Sequence, residues 1–276
     1  MNHEPDIVPF KEAPELKLHL HVFRPSHAGG SAPAIVFFSC GGWRGFRPPM
    51  FYPHGDYLAG RGMVAISAEV RSLGHGAESG VTCVTDARSA VRWTRAHAAD
   101  WGIDPSRIAV GGGSASGHVT CCTTMVDGFD EAGEDRSVRC SADAMVLFNP
   151  ALDPLAKPKR TELLGGAETA RALSPIEQVR PGLPPTIIMH GDADDVVPLE
   201  EAARFTEAMT AAGNRCELHA YEGQGHGFFN YFDGSNPMFV ETTREVDRFL
   251  ASLGWLAGEP TIDEYEYDGP NTTADN

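Results

Sequence analysis

The chain has 276 residues, 42% hydrophobic and 22% charged, with a formal net charge of −16. That length lets roughly three quarters of the unfolded chain's surface be buried in one core, and the composition is globular rather than disordered or membrane-embedded. The acidic balance repels polyanions and offers no basic stripe, so no nucleic-acid partner is expected and a neutral or cationic substrate fits better.

The N-terminal MNHEPDIVPFKEAPELK lacks the basic start, apolar run and small-residue cleavage site of a signal peptide. No stretch offers the roughly 18 to 20 apolar residues of a bilayer-spanning helix, so no membrane partner is expected. The expectation is a soluble protein, cytoplasmic or secreted with its signal peptide absent from this chain, with a homo-oligomer left open. Six scattered cysteines without C-x-x-C spacing read as reduced, packed thiols.

In chain order, LKLHLHVFRP alternates apolar and polar residues and predicts an antiparallel edge strand. AIVFFS (34–39), MVAISAEV (63–70), IAVGGG (108–113), AMVLFN (144–149), TIIMHG (186–191) and CELHAYE (216–222) follow. These short apolar runs predict strands buried on both faces, paired in parallel through helical crossovers. Between them, VTDARSAVRWTRAHAADWG places Val84, Ala87, Val91 and Thr94 or Arg95 at helical spacing and ends at a glycine. Further helices are predicted from about Leu199 to Ala212, before Gly213, and from about Phe239 to Leu253, before Gly254. The fold class is therefore α/β, with a mostly parallel central sheet flanked by helices. Residues 1–255 form a single domain, and the acidic, aperiodic stretch 256–276 reads as a solvated, flexible tail. Alternatively Tyr265 and Tyr267 dock it on another subunit.

Chemistry enters at IAVGGGSASGHVT, where an apolar strand runs into glycines, a serine and a helix. A serine on so sharp a turn needs small neighbours, and the next residue's N–H then points at a developing oxyanion. Ser114 fits G-x-S-x-G with Ser116 in the last position, whereas Ser116 as nucleophile fits worse. A phosphate-binding turn would want G-K-[ST] or G-x-G-x-x-G, and neither is present. HGDADDVVP and EGQGHGFF follow two later strands, giving the order Ser, Asp, His of a hydrolase on such a sheet. A serine hydroxyl needs an imidazole to take its proton, and the imidazole needs a carboxylate to orient it. His226 is the base. Of the carboxylates, Asp194 lies just beyond the strand end and ahead of the VVP turn, with Asp195 and then Asp192 as alternatives. FFSCGGWRGF places Gly41 and Gly42 after an early strand, where backbone N–H groups can complete an oxyanion hole with Ala115. His19 and His21 alternate on one strand face without a carboxylate nearby in sequence; they read as surface residues, and no metal or cofactor is implied.

With these residues in hand, the chain resembles the α/β-hydrolase superfamily, in the branch of hormone-sensitive-lipase-like and bacterial acetyl xylan and feruloyl esterase-like carboxylesterases. The resemblance covers most of residues 30 to 255 and rests on five blocks in order: FFSCGGW, GMVAISAEVR, DARSAVRWTRAHAADWGIDPSRIAVGGGSASGH, HGDADDVVP and GQGHGFF. It implies a Ser114, Asp194, His226 triad with Gly41, Gly42 and Ala115 around the oxyanion. It departs from the family pattern in reading Ser39-Cys40-Gly41-Gly42-Trp43 for H-G-G-G-W, Glu69-Val70-Arg71 for E-Y-R, and Ser116 for a glycine. Only about 35 residues separate AMVLFNP from TIIMHG, so no large cap domain is expected. Loops RGFRPPMFYPHGD and RSLGHGAESG are expected to wall the cleft. The function implied is a serine esterase for small, acetyl-like esters, with a small-molecule or carbohydrate-borne substrate. A peptidase or amidase on the same triad, or a non-catalytic ligand-binding protein, are the alternatives.

Overall fold

The computed structural model describes residues 4–13, 16–26, 30–45, 47–231 and 236–269. Eight strands form one sheet: β1 (Asp6–Ala13), β2 (Leu16–Phe23), β3 (Ala32–Phe38), β4 (Val64–Ala68), β5 (Ile103–Gly113), β6 (Ala144–Phe148), β7 (Thr186–Gly191) and β8 (Cys216–Tyr221). Their order is β1-β2-β4-β3-β5-β6-β7-β8. All pairs from β4 to β8 are parallel, while β2 is antiparallel to both β1 and β4.

Each apolar central strand is buried on both faces, as a parallel sheet demands. Val36 and Phe38 of β3, Val110 of β5, Leu147 of β6 and Ile188 of β7 share one core. That core includes α2 (Gly80–Ala96), α3 (Ala115–Met125) and α6 (Leu199–Ala211). Ile35, Phe37, Val146, Phe148 and Met189 face the other way, against α1 (Tyr52–Gly60) and α7 (Pro237–Ser252). Two short helices, α4 (Pro158–Leu163) and α5 (Ala167–Ala172), occupy the stretch between β6 and β7, and no large cap is present among the described residues. The six cysteines are free thiols, five of them buried. No helix among the described residues is long and apolar enough to cross a membrane.

Three expectations change. First, β2 is not an edge strand, because β1 pairs outside it from Asp6↔Val22 to Ala13↔Leu16; Pro9 and the mixed polarity of DIVPFKEA hide that strand in the sequence. Second, His19 and His21 have a carboxylate after all: the two oxygens of Glu69 lie 2.9 Å from His19 Nδ1 and 3.1 Å from His21 Nε2. Third, the tail packs on its own domain as far as Tyr267. Leu256, Ile262 and Tyr267 are buried, and the Tyr265 hydroxyl lies 2.8 Å from Asp56 Oδ2 on α1. Asp247 of α7, fully buried, accepts from Tyr57 at 2.5 Å and Arg61 at 2.6 Å, while Arg61 also donates to the Ala257 and Gly258 carbonyls. Acidic composition masked three apolar anchors spaced without period. Residues 270–276 lie outside the described part.

His54 on α1 is 1% exposed, with neither ring nitrogen hydrogen-bonded in the structure. Its ring centroid lies 4.8 Å from that of Phe239, 5.3 Å from Phe51 and 5.4 Å from Phe148. Burial pushes its pKa down to about 3, against about 6.5 for an unfolded histidine. The unfolded state therefore binds a proton that the folded state refuses. Stability contributed by neutral His54 is complete above the unfolded pKa and is lost as pH falls below it, by about 1.4 kcal/mol per pH unit. Urea unfolding between about pH 6 and pH 4 should show a slope smaller by that amount in His54→Leu. Equal slopes would mean that the ring is protonated or solvated in the folded state.

Candidate active site

Four loops meet at the carboxyl edge of the sheet, where the connections leaving the neighbouring parallel strands β3 and β5 run to helices on opposite faces, α1 and α3, the place an open α/β sheet leaves a crevice. The central loop is the turn from β5 into α3. Ser114 holds φ 56° and ψ −125°, a region an L residue occupies only when over-determined, at a cost of about 1–3 kcal/mol. Its N–H donates to Phe148 O at 3.0 Å, and its carbonyl accepts from His118 N at 3.2 Å and Ala151 N at 3.0 Å. The glycines around it answer to crowding. A Cβ on Gly112 would sit 2.7 Å from Ser116 O, one on Gly113 2.6 Å from Phe229, and one on Gly117 2.6 Å from Pro150.

His226, on the loop after β8, places Nε2 2.9 Å from Ser114 Oγ and Nδ1 2.7 Å from Asp194 Oδ2. With its proton on Nδ1, the ring donates to the carboxylate and accepts from the hydroxyl. The other Asp194 oxygen accepts from the N–H groups of Val196 and Val197, each at 2.9 Å, so the carboxylate is held from two sides. The neighbouring acids have other positions. Asp192 Oδ1 accepts from Gly223 N at 2.6 Å, pinning the histidine loop, and Asp195 is exposed. Beneath Asp194, His190 Nε2 donates to Val197 O at 2.9 Å, and burial holds its pKa below the ordinary value.

Gly41 and Gly42 follow β3 in a tight turn where Gly42 and Trp43 have φ of 58° and 59°. Among the described residues, nothing accepts the N–H groups of Gly41, Gly42 or Ala115. Ala115 adjoins Ser114 at the start of α3, and Gly41 and Gly42 follow the neighbouring strand β3. Ser116 is engaged elsewhere: it is buried and accepts Cys40 N–H at 2.7 Å.

Two contributors were not singled out in the sequence. Asn149, with φ 34°, puts Nδ2 3.4 Å from His226 Nδ1 and accepts weakly from Gly227 N; its signal was an Asn-Pro directly after a buried strand. Glu201 on α6 accepts from Leu152 N, Asp153 N and Arg160, while Arg160 and Lys157 both donate to Val196 O. This clamps the segment after β6 to the Asp194 loop, and nothing in local sequence announces it.

Fold and site together define a hydrolase-type α/β protein with a serine poised beside a histidine–aspartate pair. The chain belongs to the BD-FAE family, whose sequence model matches residues 20–209. Esterase LipC of Mycobacterium tuberculosis is 30% identical over 224 residues, covering 74% of this chain and 55% of LipC. Isoprenylcysteine alpha-carbonyl methylesterase ICME of Arabidopsis thaliana is 25% identical over 228 residues, covering 75% and 53%. The chain spans about half the length of these curated relatives. Among solved structures, the propionate-bound esterase of the planctomycete Thermogutta terrifontis, Est2, superposes with a TM-score of 0.87 at 40% identity, covering 94% of this chain and 98% of that one. Thermogutta terrifontis esterase 2 phosphorylated by paraoxon gives 0.86 at 41% identity, covering 93% and 96%.

The acid and histidine loops touch so closely that a Cβ on Gly191 would lie 2.1 Å from Gln224 O, whereas one on Gly225 would meet nothing within 4 Å. Gly191→Ala should therefore lower the melting temperature by at least about 5 °C and Gly225→Ala by no more than about 2 °C. Equal melting of the two variants would show that the loops do not approach as described.

Proposed function

We propose that the protein is a serine carboxylesterase that hydrolyses small acyl esters through an acyl-enzyme on Ser114. The observation that carries this reading is the continuous contact from Ser114 Oγ to His226 to Asp194, at 2.9 and 2.7 Å. Ser114 Oγ attacks the ester carbonyl as His226 Nε2 takes its proton. Charge developing on the carbonyl oxygen is met by the N–H groups of Gly41, Gly42 and Ala115, and Asp194 steadies the imidazolium. His226 returns the proton to the departing alcohol. A water then repeats the sequence on the acyl-enzyme and releases the acid.

The esterase names of the relatives support the reaction class. Propionate- and butyrate-bound forms of the Thermogutta esterase support a short acyl group. Absence of a large cap among the described residues favours an open cleft, suited to acetyl-like groups carried on a small molecule or a carbohydrate. Of the two stretches expected to wall it, the first runs into α1 at Tyr52 and the second ends at the start of α2, so the connections at 47–51 and 71–79 are the parts proposed as walls.

Hydrolysis of p-nitrophenyl esters from acetyl to decanoyl tests this directly. The parent protein should prefer the short chains, Ser114→Ala should lose about a millionfold in turnover, and paraoxon should leave a phosphoryl adduct on Ser114 by mass spectrometry. Asp194→Asn should cost about 10⁴-fold in kcat, with Asp195→Asn within about twofold. Amide turnover exceeding ester turnover would move the assignment to a peptidase or amidase. No turnover and no adduct would leave a ligand-binding protein.

A further inference from the structure

The turn that carries Gly41 and Gly42 is held from behind by α3 at two points. One is the bond from Cys40 N–H to the Ser116 hydroxyl. The other joins side chains: the Trp43 indole Nε1–H donates to His118 Nδ1 at 3.2 Å. The second ring nitrogen of His118 donates to Leu173 O at 2.8 Å, and that bond fixes the tautomer with Nδ1 as acceptor. Burial pushes the His118 pKa down to about 4, so the ring is neutral and able to accept in neutral solution.

Trp43 holds φ 59°, a conformation that bulky L residues adopt only when their surroundings keep them there. Its ring is buried, edge-on to His118 with centroids 5.3 Å apart. It also packs at α2, where a Cβ on Gly80 would meet both Trp43 and Leu164 at 2.9 Å. The adjoining Gly42 has the same unusual φ and makes no bond of its own through N–H. The turn is closed by its own backbone, with Trp43 N–H donating to Cys40 O and the N–H groups of Arg44 and Gly45 donating to Gly41 O, and Trp43 is the side chain that fastens this closed unit to α3. Ala115, the third donor, sits on the first turn of α3, and His118 lies one turn on, bonded back to Ser114 O.

We propose that His118 and Trp43 are positioning residues for the oxyanion: their hydrogen bond locks the strained Gly42–Trp43 turn to α3, and so fixes the Gly41 and Gly42 donors relative to Ala115. The proposal rests on the acyl-transfer reading of the preceding section. Neither side chain touches reacting atoms. Both act through the turn, and a shift of about 1 Å in such donors is enough to cost about a hundredfold in rate.

Kinetics with p-nitrophenyl butyrate on the parent, Trp43→Phe, His118→Leu, His118→Asn and the double variant Trp43→Phe/His118→Leu test it, with melting temperatures alongside. Trp43→Phe and His118→Leu should each lower kcat by about 10- to 100-fold with KM changed by less than about threefold, because donors to the transition state are misplaced while ground-state binding persists. The double variant should lose no more than the worse single one, as expected for one shared bond. His118→Asn keeps an acceptor at the Nδ1 position and should recover most of kcat. The proposal is overturned if kcat survives both single changes, if the double loss is the product of the single ones, or if His118→Asn is as impaired as His118→Leu at matched stability. A parent protein that neither hydrolyses the ester nor takes the paraoxon label brings down the acyl-transfer reading and this proposal with it. Normal parent turnover with unimpaired variants brings down this proposal alone.

Discussion

An L residue keeps φ 56° and ψ −125°, as Ser114 does, only where the chain on both sides leaves it no alternative. On the strand side, β5 is hydrogen-bonded to β3 and β6 together, so its last residues cannot drift. On the helix side, every residue of α3 is buried. The strain of about 1–3 kcal/mol is offset by seating a whole helix against the sheet. Glycines at 112, 113 and 117 are then a steric requirement, since each hydrogen they present to Ser116, Phe229 or Pro150 could not be a carbon. The outcome is a hydroxyl lifted off the sheet edge with Ala115 N–H beside it, both carried by one rigid element.

The same rigidity governs how charge is handled. With a net charge of −16, carboxylates are abundant, and the buried ones are paired. Asp86 accepts from Lys11 and from both the backbone and guanidinium of Arg71. Asp130 takes Arg88 and Arg92, and Glu201 takes Arg160. Such pairs gain little net stability over apolar packing, but removing one partner strands a buried charge. They therefore specify where loops attach more than they stabilise. Asp194 is the exception: its carboxylate is shielded from solvent and contacts no Lys or Arg, but takes backbone N–H groups and His226. Its charge acts on imidazoles instead, on His226 at 2.7 Å and on His190, whose Nε2 lies 3.5 Å from the same oxygen.

Much of this was legible in the sequence, for a local reason. Strands buried on both faces are continuous apolar runs, and the turns at their ends need glycine, so IAVGGGS, TIIMHGD and the GQGHG loop announced both position and residue type. The choice among Asp192, Asp194 and Asp195 was less so, because it depends on which carboxylate the turn before α6 aims at His226. The remainder is long-range. Pairing of β1 with β2, the docking of Ile262 and Tyr267, and the meeting of Glu69 with His19 and His21 join residues whose local patterns are polar or aperiodic. Ser116 was weighed as a nucleophile because its hydroxyl and its place in the motif are visible, while its partner, Cys40 N–H, is 76 positions away.

The short segment between β6 and β7 gives these pieces a common backing. Where a cap would rise over a cleft, this stretch turns down. Leu173 O accepts from His118, Leu164 packs beside Trp43 at Gly80, and Arg160 and Lys157 grip Val196 O just past Asp194. One segment thus supports the Gly41–Trp43 turn on one side and the acid loop on the other. Both loops carry groups whose use depends on direction rather than on presence: N–H vectors in one, a carboxylate edge in the other. Loops of that kind need a partner that cannot yield, and the buried Arg160–Glu201 pair supplies it by tying the segment to α6 through Leu152, Asp153 and Val196 at once. Rigidity at both loops is thus provided from within the domain, by bonds and packing on the side away from Ser114 and His226 rather than by a cap.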